Sequence, residues 1–170
     1  LHGMDKDAWK RFSKDGSKSY DVTSIGFKYN MTDYQSAMGV EQLKKVDKFW
    51  ARRKEIWDIY NSEFENLNFG IPAPLEEQNK HSLHLFTLVV NEFNGGRDAF
   101  IKYMNDNGVG VGIHYQAIPA FSVYKELFGW DIKEFPNAEL FGNNCVSIPL
   151  SPGLSHNEVE KVVKAVRSAE

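Results

Sequence analysis

The sequence has little that would build a disulfide framework or a membrane span. It contains one cysteine among 170 residues, so no internal disulfide can form. Its longest apolar run covers residues 85–90 and is interrupted by Thr87, whereas a spanning helix needs about 20 apolar residues. No charged and then apolar leader opens the chain. We therefore expect a cytoplasmic protein that neither spans nor binds a membrane.

A strong charge of either sign is also missing. The chain has 20 Lys and Arg against 23 Asp and Glu, a net charge of −3, and its basic residues are scattered. Domains that bind nucleic acid usually concentrate positive charge on one face or helix. The charge pattern therefore predicts no nucleic acid partner.

The spacing of reactive residues defines no catalytic or metal site. There is no phosphate-binding glycine loop with a lysine, no metal-spaced cluster and no nucleophile elbow. His81 and His84 lie three apart in a predicted strand, where residues at odd separation point to opposite faces, so they are not a simple ligand pair. Cys145 lies in the apolar run 145–150 without a nearby base, which predicts a buried small hydrophobe rather than a nucleophile.

Residues 32–66 have the pattern of one long amphipathic helix. Thr32 is a good N-cap, and Gln35 three residues later completes a capping box. Apolar residues then recur at helical spacing: Met38, Leu43, Val46, Trp50, Trp57, Tyr60 and Phe64. Such a helix would be about 50 Å long, which suits a connection between domains. We predict that residues 1–31 are the tail of a missing large domain, 32–66 a long interdomain helix and 67–170 a small α/β domain.

The rest of the chain predicts a small sheet with helices packed against it. Expected strands cover residues 83–90, 109–115 and 145–150, and expected helices cover 97–107, 120–128 and 136–141. A last helix follows the capping box of Ser155 and Glu158, with valines at helical spacing. The order of these elements indicates an α/β fold.

His114 and Tyr115 are the most suggestive polar pair. They end the predicted strand 109–115, in which Gly110 and Gly112 permit the close approach of another backbone or a ligand. Polar side chains at the end of a strand often contact ligands. On spacing alone, ligand binding and a purely structural role both stay open.

Several motifs resemble those of one enzyme family. The segment GFKYNMTDYQSA at 26–37, followed by Gln42-Leu43 and Arg52-Arg53, resembles the signature of the DegT-type sugar-nucleotide aminotransferases. Similar motifs follow in the family's order: HSLHL at 81–85, GVGIHY at 110–115, FPNAE at 135–139 and SIPL at 147–150. The resemblance covers nearly the whole chain. It implies the C-terminal domain of a fold type I enzyme that uses pyridoxal 5'-phosphate (PLP), with a long N-terminal helix and a mainly antiparallel sheet packed by helices.

The resemblance also implies an activity for the parent protein. Such enzymes move an amino group from an amino acid, here expected to be glutamate, to a nucleotide-linked keto-sugar in surface polysaccharide or deoxysugar synthesis. The family's Schiff-base lysine lies upstream of these motifs, so this chain would hold no catalytic residue and would not act alone. A PLP-dependent sugar dehydratase of the same family is one alternative. A non-catalytic, self-associating domain is another.

Four site residues follow from the resemblance. Asn30 is the position whose amide reaches across a homodimer interface to the cofactor phosphate of the other subunit, although Asn30 could instead only shape the approach to the Thr32 cap. His114, Tyr115 and Lys28 are expected to contact the substrate.

Other positions are expected to be structural or to depart from the family pattern. A second histidine that often follows the His-Tyr pair is replaced by Pro119, which leaves the identity of the sugar open. His84 matches a strand histidine that we expect to be buried and hydrogen-bonded. Trp50, Trp57 and Tyr60 have the spacing of core or interdomain packing residues.

Overall fold

The computed structural model describes residues 2–5, 13–14, 21–76, 78–90 and 92–170. The chain forms two compact units, Leu1–Val46 and Asp47–Glu170. The helices are α1 (Asp33–Leu43), α2 (Val46–Phe64), α3 (Gly96–Asp106), α4 (Ser122–Phe128), α5 (Pro136–Asn144) and α6 (His156–Arg167), and the strands are β1 (Phe86–Val89) and β2 (Cys145–Ile148). Short 3₁₀ turns cover Ile118–Ala120 and Ile132–Glu134. Within the described ranges, no helix is long and apolar enough to cross a membrane.

The first unit pairs its opening residues with the segment that leads into α1. The backbone N–H of Asp5 donates to the Asp21 carbonyl at 2.9 Å, and that of His2 donates to the Phe27 carbonyl at 3.1 Å. Gly3 is required here, because its φ is +73° and a Cβ atom would lie 1.7 Å from the Ser24 carbonyl oxygen. The parts of the predicted tail at 1, 6–12 and 15–20 lie outside the described residues.

The predicted helix over 32–66 is two helices in the structure. α1 ends at Leu43 and α2 begins at Val46, with a turn at residues 44 and 45. In that turn the Lys45 N–H donates to the Gln42 carbonyl, three residues back instead of four. The prediction of an unbroken helix was therefore wrong. Its N-terminal cap is confirmed, because the Thr32 hydroxyl accepts from the Gln35 N–H and the Gln35 side chain accepts from the Thr32 N–H.

The break separates two parts of the apolar stripe that differ in burial. On α1, the side chains of Met38 and Leu43 are 53% and 73% exposed, and this helix has no buried residue. On α2, Trp57, Tyr60 and Phe64 are buried. The predicted packing role is thus confirmed for Trp57 and Tyr60, and Trp50 packs half-buried against the same core. In contrast, α1 presents its apolar side chains to solvent.

The core of the second unit is an aromatic cluster between α2 and β1. Phe86 of β1 meets the rings of Trp57, Tyr60 and Phe64 edge to face, with centroid distances of 4.8, 5.2 and 6.2 Å. All four residues are at most 2% exposed. Edge-to-face pairs add to the free energy gained by burying aromatic area, so this cluster fixes α2 on the sheet.

β1 and β2 form an antiparallel pair with Phe86 opposite Ile148 and Val89 opposite Cys145. Single antiparallel bridges extend the pair on both sides, from Gly70 to Val89 and from Gly112 to Ser147. The small antiparallel sheet packed by helices is confirmed. The expected strand 109–115 is reduced to the bridge at Gly112, since glycines have low strand propensity and give no side-chain packing.

The remaining helices close the core as their local signals predict. α3 ends before Gly108, whose φ of +68° is typical of a residue that terminates a helix. α6 begins at the Ser155–Glu158 capping box, in which each residue accepts from the other's backbone N–H. Its buried face consists of Val159, Val162, Ala165 and Val166.

Candidate functional site

A cleft of about 370 Å³ lies beside the bridge between Gly112 and Ser147, and His84, His114 and Pro149 also border it. The bridge fixes the Gly112 loop, since the Ser147 N–H donates to the Gly112 carbonyl at 2.7 Å and the Gly112 N–H donates to the Ser147 carbonyl at 3.0 Å. The expected ligand-binding pair therefore lies at the edge of the sheet.

His114 is half-buried, and its ring lies against the backbone of Gly112. Its Nδ1 atom is buried and has no hydrogen-bond partner among the described residues. The Tyr115 ring stands edge-on to the imidazole at a centroid distance of 4.9 Å, and the Tyr115 side chain is exposed. The peptide bond between the two residues is cis. His114 thus presents an imidazole at the cleft, and Tyr115 presents an exposed phenol beside that imidazole. Both groups can hydrogen-bond to a polar ligand.

Buried hydrogen bonds support the cleft from the core side. The Tyr60 hydroxyl donates to the Pro149 carbonyl at 2.9 Å. The Ser147 and Thr87 hydroxyl oxygens lie 3.0 Å apart, and Ser147 is 4% exposed. Burial raises the pKa of Tyr60, so its hydroxyl keeps its proton and stays a donor to Pro149. The first contact ties Pro149, after β2, to α2, and the second joins β1 to β2; Ser147 and Pro149 both line the cleft.

Cys145 at the start of β2 is buried, as predicted for a small hydrophobe. Its Sγ atom lies 3.5 Å from the Tyr115 carbonyl oxygen and donates to it. Burial raises the pKa of the Cys145 thiol, which disfavours the nucleophilic thiolate. The residue is therefore a buried packing residue whose thiol contacts the backbone of Tyr115.

His84 differs from its expectation. It precedes β1, in a segment without regular structure, and its side chain is exposed at the border of the cleft instead of buried in a strand. His81 is exposed too, and its Nδ1 atom accepts from the Leu83 N–H at 3.0 Å. Leu83 has a φ of +52°, which is outside the range of a strand, and β1 begins three residues later at Phe86. The strand predicted from 83 is correspondingly shorter.

In the first unit, Lys28 and Asn30 lie exposed on the segment without regular structure ahead of α1. The backbone N–H groups of Thr32 and Gln35 donate hydrogen bonds within the capping box. The next residues, Asp33 and Tyr34, begin the helix, where backbone N–H groups point out of the first turn. An exposed amide before a helix N-terminus fits an oxygen of an anion such as a phosphate, although the Asp33 carboxylate in that turn opposes it.

Three features of the site have no clear sequence signal. The hydroxyl contact of Ser147 with Thr87 and the bond from Tyr60 to Pro149 join residues 60 and 89 positions apart. The close contact between Gly112 and His114 depends on the direction of one side chain. For the contact between Gly112 and His114, the sequence offered the alternating glycines of residues 109–115. These glycines predict that another group lies close to the backbone, but not which group.

Comparison with known proteins identifies the family of the chain. Residues 1–167 match the family described as DegT/DnrJ/EryC1/StrS aminotransferase. The uncharacterized protein MJ1066 of Methanocaldococcus jannaschii is 38% identical over 98% of this chain and 44% of its own length. The spore coat polysaccharide biosynthesis protein SpsC of Bacillus subtilis is 36% identical, again over 98% of this chain and 44% of its own length.

A solved structure agrees with these relatives. The putative sugar aminotransferase Spr1654 from Streptococcus pneumoniae, in its PMP form, superposes with a TM-score of 0.80 at 30% identity, covering 99% of this chain and 40% of that one. Its PLP form superposes with the same TM-score at 29% identity. The chain therefore spans about two fifths of the length of the proteins it matches. From its motifs, its fold and these matches, the chain belongs to the DegT/DnrJ/EryC1/StrS aminotransferase family.

Proposed function

We propose that the parent protein of this chain is a PLP-dependent aminotransferase that moves an amino group from glutamate to a nucleotide-linked keto-sugar. The observation that carries the proposal is the family match over residues 1–167. The likeness to Spr1654, a putative sugar aminotransferase solved in PLP and PMP forms, supports the same reaction. The likeness to SpsC, named for polysaccharide synthesis, supports a surface polysaccharide as the destination of the amino sugar.

In this proposal the second unit contributes part of the sugar-nucleotide site. His114 supplies an imidazole at the cleft and Tyr115 an exposed phenol beside it, and both can hydrogen-bond to hydroxyl or phosphate oxygens. Lys28 in the first unit adds an exposed ammonium, a point charge suited to a phosphate. In this proposal His114 and Tyr115 bind and orient the substrate from the second unit, and Lys28 is a separate proposed substrate contact of the first unit.

The cofactor contact proposed for this chain is the Asn30 amide. PLP supplies an electron sink for the amino transfer when it is bound. Asn30 fits an oxygen of its phosphate, because the side chain is exposed directly ahead of a helix N-terminus. We propose that the phosphate belongs to the other subunit of a homodimer. The exposed apolar side chains of α1, including Met38 and Leu43, favour such an association.

A complementation experiment in the full-length parent tests the contact across the dimer. One variant is Asn30→Ala, and the other replaces the Schiff-base lysine upstream of this chain. In a mixed dimer, the Asn30→Ala subunit keeps its lysine and receives Asn30 from its partner. We expect two weakly active variants to regain activity when they are mixed. If Asn30 acted within its own subunit, mixing would restore nothing.

Thr32→Ala is the matched control for the simpler role of Asn30 in shaping the helix cap. It removes the capping hydroxyl but leaves the amide in place. We expect Asn30→Ala and Asn30→Asp to weaken PLP binding, with the larger loss for aspartate because its charge repels the phosphate. Thr32→Ala should leave PLP affinity unchanged. Equal losses from Asn30→Ala and Thr32→Ala would assign Asn30 to the cap alone.

A further inference from the structure

The contact between Gly112 and the His114 ring is closer than any side chain at position 112 would allow. A Cβ atom built on Gly112 would lie 2.8 Å from Cε1 of His114, 3.5 Å from Nδ1 and 3.6 Å from Nε2. All three distances are to the imidazole of one residue. A methyl group at position 112 would therefore displace this ring.

Backbone freedom does not explain the glycine. Among the described residues, the glycines with positive φ are Gly3, Gly95, Gly96, Gly108 and Gly129. Gly112 is outside that set, so an alanine would keep its backbone conformation. Gly110, two residues earlier, also borders the cleft, but a Cβ there would have no atom within 4 Å. The steric demand at position 112 thus comes from the His114 ring.

The position of the ring decides which nitrogen meets a ligand. Nδ1 is buried without a partner among the described residues, so Nε2 is the nitrogen left to face the cleft. In the neutral imidazole one nitrogen bears the proton and the other accepts. A buried N–H without a partner is rarer in proteins than an unsatisfied acceptor. The proton is therefore favoured on Nε2, which makes His114 a donor towards the cleft.

We infer that Gly112 is a positioning residue of the sugar-nucleotide site. Its missing side chain lets the His114 imidazole lie against the backbone, with Nε2–H directed as a donor to a hydroxyl or phosphate oxygen of the substrate. The identity of the ligand rests on the proposed function, whereas the position of the His114 ring does not. The two parts are tested separately.

The ring position is tested by ¹⁵N NMR of the imidazole nitrogens in the 170-residue chain. The chain has five histidines, and His114→Gln assigns the signals of His114. We expect the wild-type shifts of a ring protonated at Nε2. Gly112→Ala should move the His114 signals and leave the other histidines in place, whereas Gly110→Ala should leave all of them in place. His114 signals unchanged by Gly112→Ala would overturn the inference.

Ligand binding is tested by a double-mutant cycle in the full-length parent, with UDP-N-acetylglucosamine and dTDP-glucose as probes. Loss of one hydrogen bond to a charged or polar oxygen weakens binding about tenfold, so we expect that effect from Gly112→Ala. In a His114→Ala background, Gly112→Ala should change affinity by less than about twofold, since the two residues act as one unit. Equal losses in both backgrounds would contradict the inference. Failure of the wild type to bind either probe would count against the proposed function, while the NMR result would still decide the role of Gly112.

Discussion

Tyr60 links the core to the cleft, and replacing it with phenylalanine tests that link. The residue is fully buried, its ring stacks on Phe64, and its hydroxyl donates to the Pro149 carbonyl at 2.9 Å. Tyr60→Phe keeps the ring and removes one hydrogen bond, leaving a carbonyl acceptor unsatisfied. We expect the free energy of unfolding at pH 7 to fall by about 1 kcal/mol.

The same substitution has a predictable pH dependence. Burial raises the pKa of Tyr60 well above its ordinary value, an effect that the nearby Arg52 charge partly opposes. In the unfolded chain a tyrosine ionises near pH 10. Above that pH the unfolded state loses a proton that the folded state keeps, so the stability present below pH 10 declines as the pH rises. At pH 11 the wild type should have lost about 1 kcal/mol through this group, and Tyr60→Phe nothing.

Urea unfolding at pH 7 and pH 11, followed by tryptophan fluorescence, measures both effects. Trp57 lies 4.8 Å from the Phe86 ring and reports on the same core. The wild type should exceed Tyr60→Phe in stability at pH 7, and the two should converge at pH 11. Tyr34→Phe, at a side chain 77% exposed, is the control and should alter neither value. A gap between wild type and Tyr60→Phe that is equal at both pH values would refute the reasoning.

Two further predictions concern the capping box of α6 and the buried thiol. Ser155→Ala should lower the free energy of unfolding by about 1 kcal/mol, whereas Thr32→Ala, on a helix with no buried residue, should leave the midpoint for the second unit unchanged. The backbone N–H and hydroxyl of Ser155 lower the pKa of Glu158. The stabilisation from the ionised Glu158 carboxylate is therefore present above the ordinary carboxyl pKa and is lost as the pH falls through the folded-state pKa. In urea titrations between pH 6 and pH 3, the free energy of unfolding of Glu158→Gln should fall less than that of the wild type. Cys145 should react with a thiol reagent only as fast as the chain unfolds, and rapid labelling of the native protein would contradict its burial.

Local signals predicted the elements well where the chemistry lies within a few neighbouring residues. The boxes at Thr32 and Ser155 each consist of a cap and a partner three residues later, and both are present. Gly108 ends α3 because a positive φ suits glycine. Such features need no knowledge of the rest of the fold.

Predictions that depended on distant packing were less secure. Apolar residues recur at helical spacing from Met38 to Phe64 without interruption, yet α1 and α2 are separated by a turn at residues 44 and 45. Neither lysine in that turn is a helix breaker, so nothing in the local pattern marks the break. Burial of Tyr60 but not Met38 follows from the position of β1, which periodicity does not contain.

The candidate site was partly foreseen in the same sense. The sequence singled out His114 and Tyr115 at a glycine-bearing segment, and in the structure His114 borders a cleft while the Tyr115 ring lies against the His114 imidazole. The glycine-bearing segment was predicted to be a strand, but the structure has a single bridge there. His84 was predicted to be buried, but its side chain is exposed. Side-chain direction and solvent access depend on Ser147 and Pro149, which come from more than 30 residues later.

The most direct test of the account is the visible absorbance of the purified full-length parent. We expect a band from bound PLP that declines when glutamate is added, with 2-oxoglutarate released, and that returns when a nucleotide-linked keto-sugar is supplied. A parent without bound PLP, or one whose band glutamate does not change, would contradict the proposed aminotransferase. Bound PLP with sugar dehydration and no amino transfer would point to the dehydratase of the same family instead.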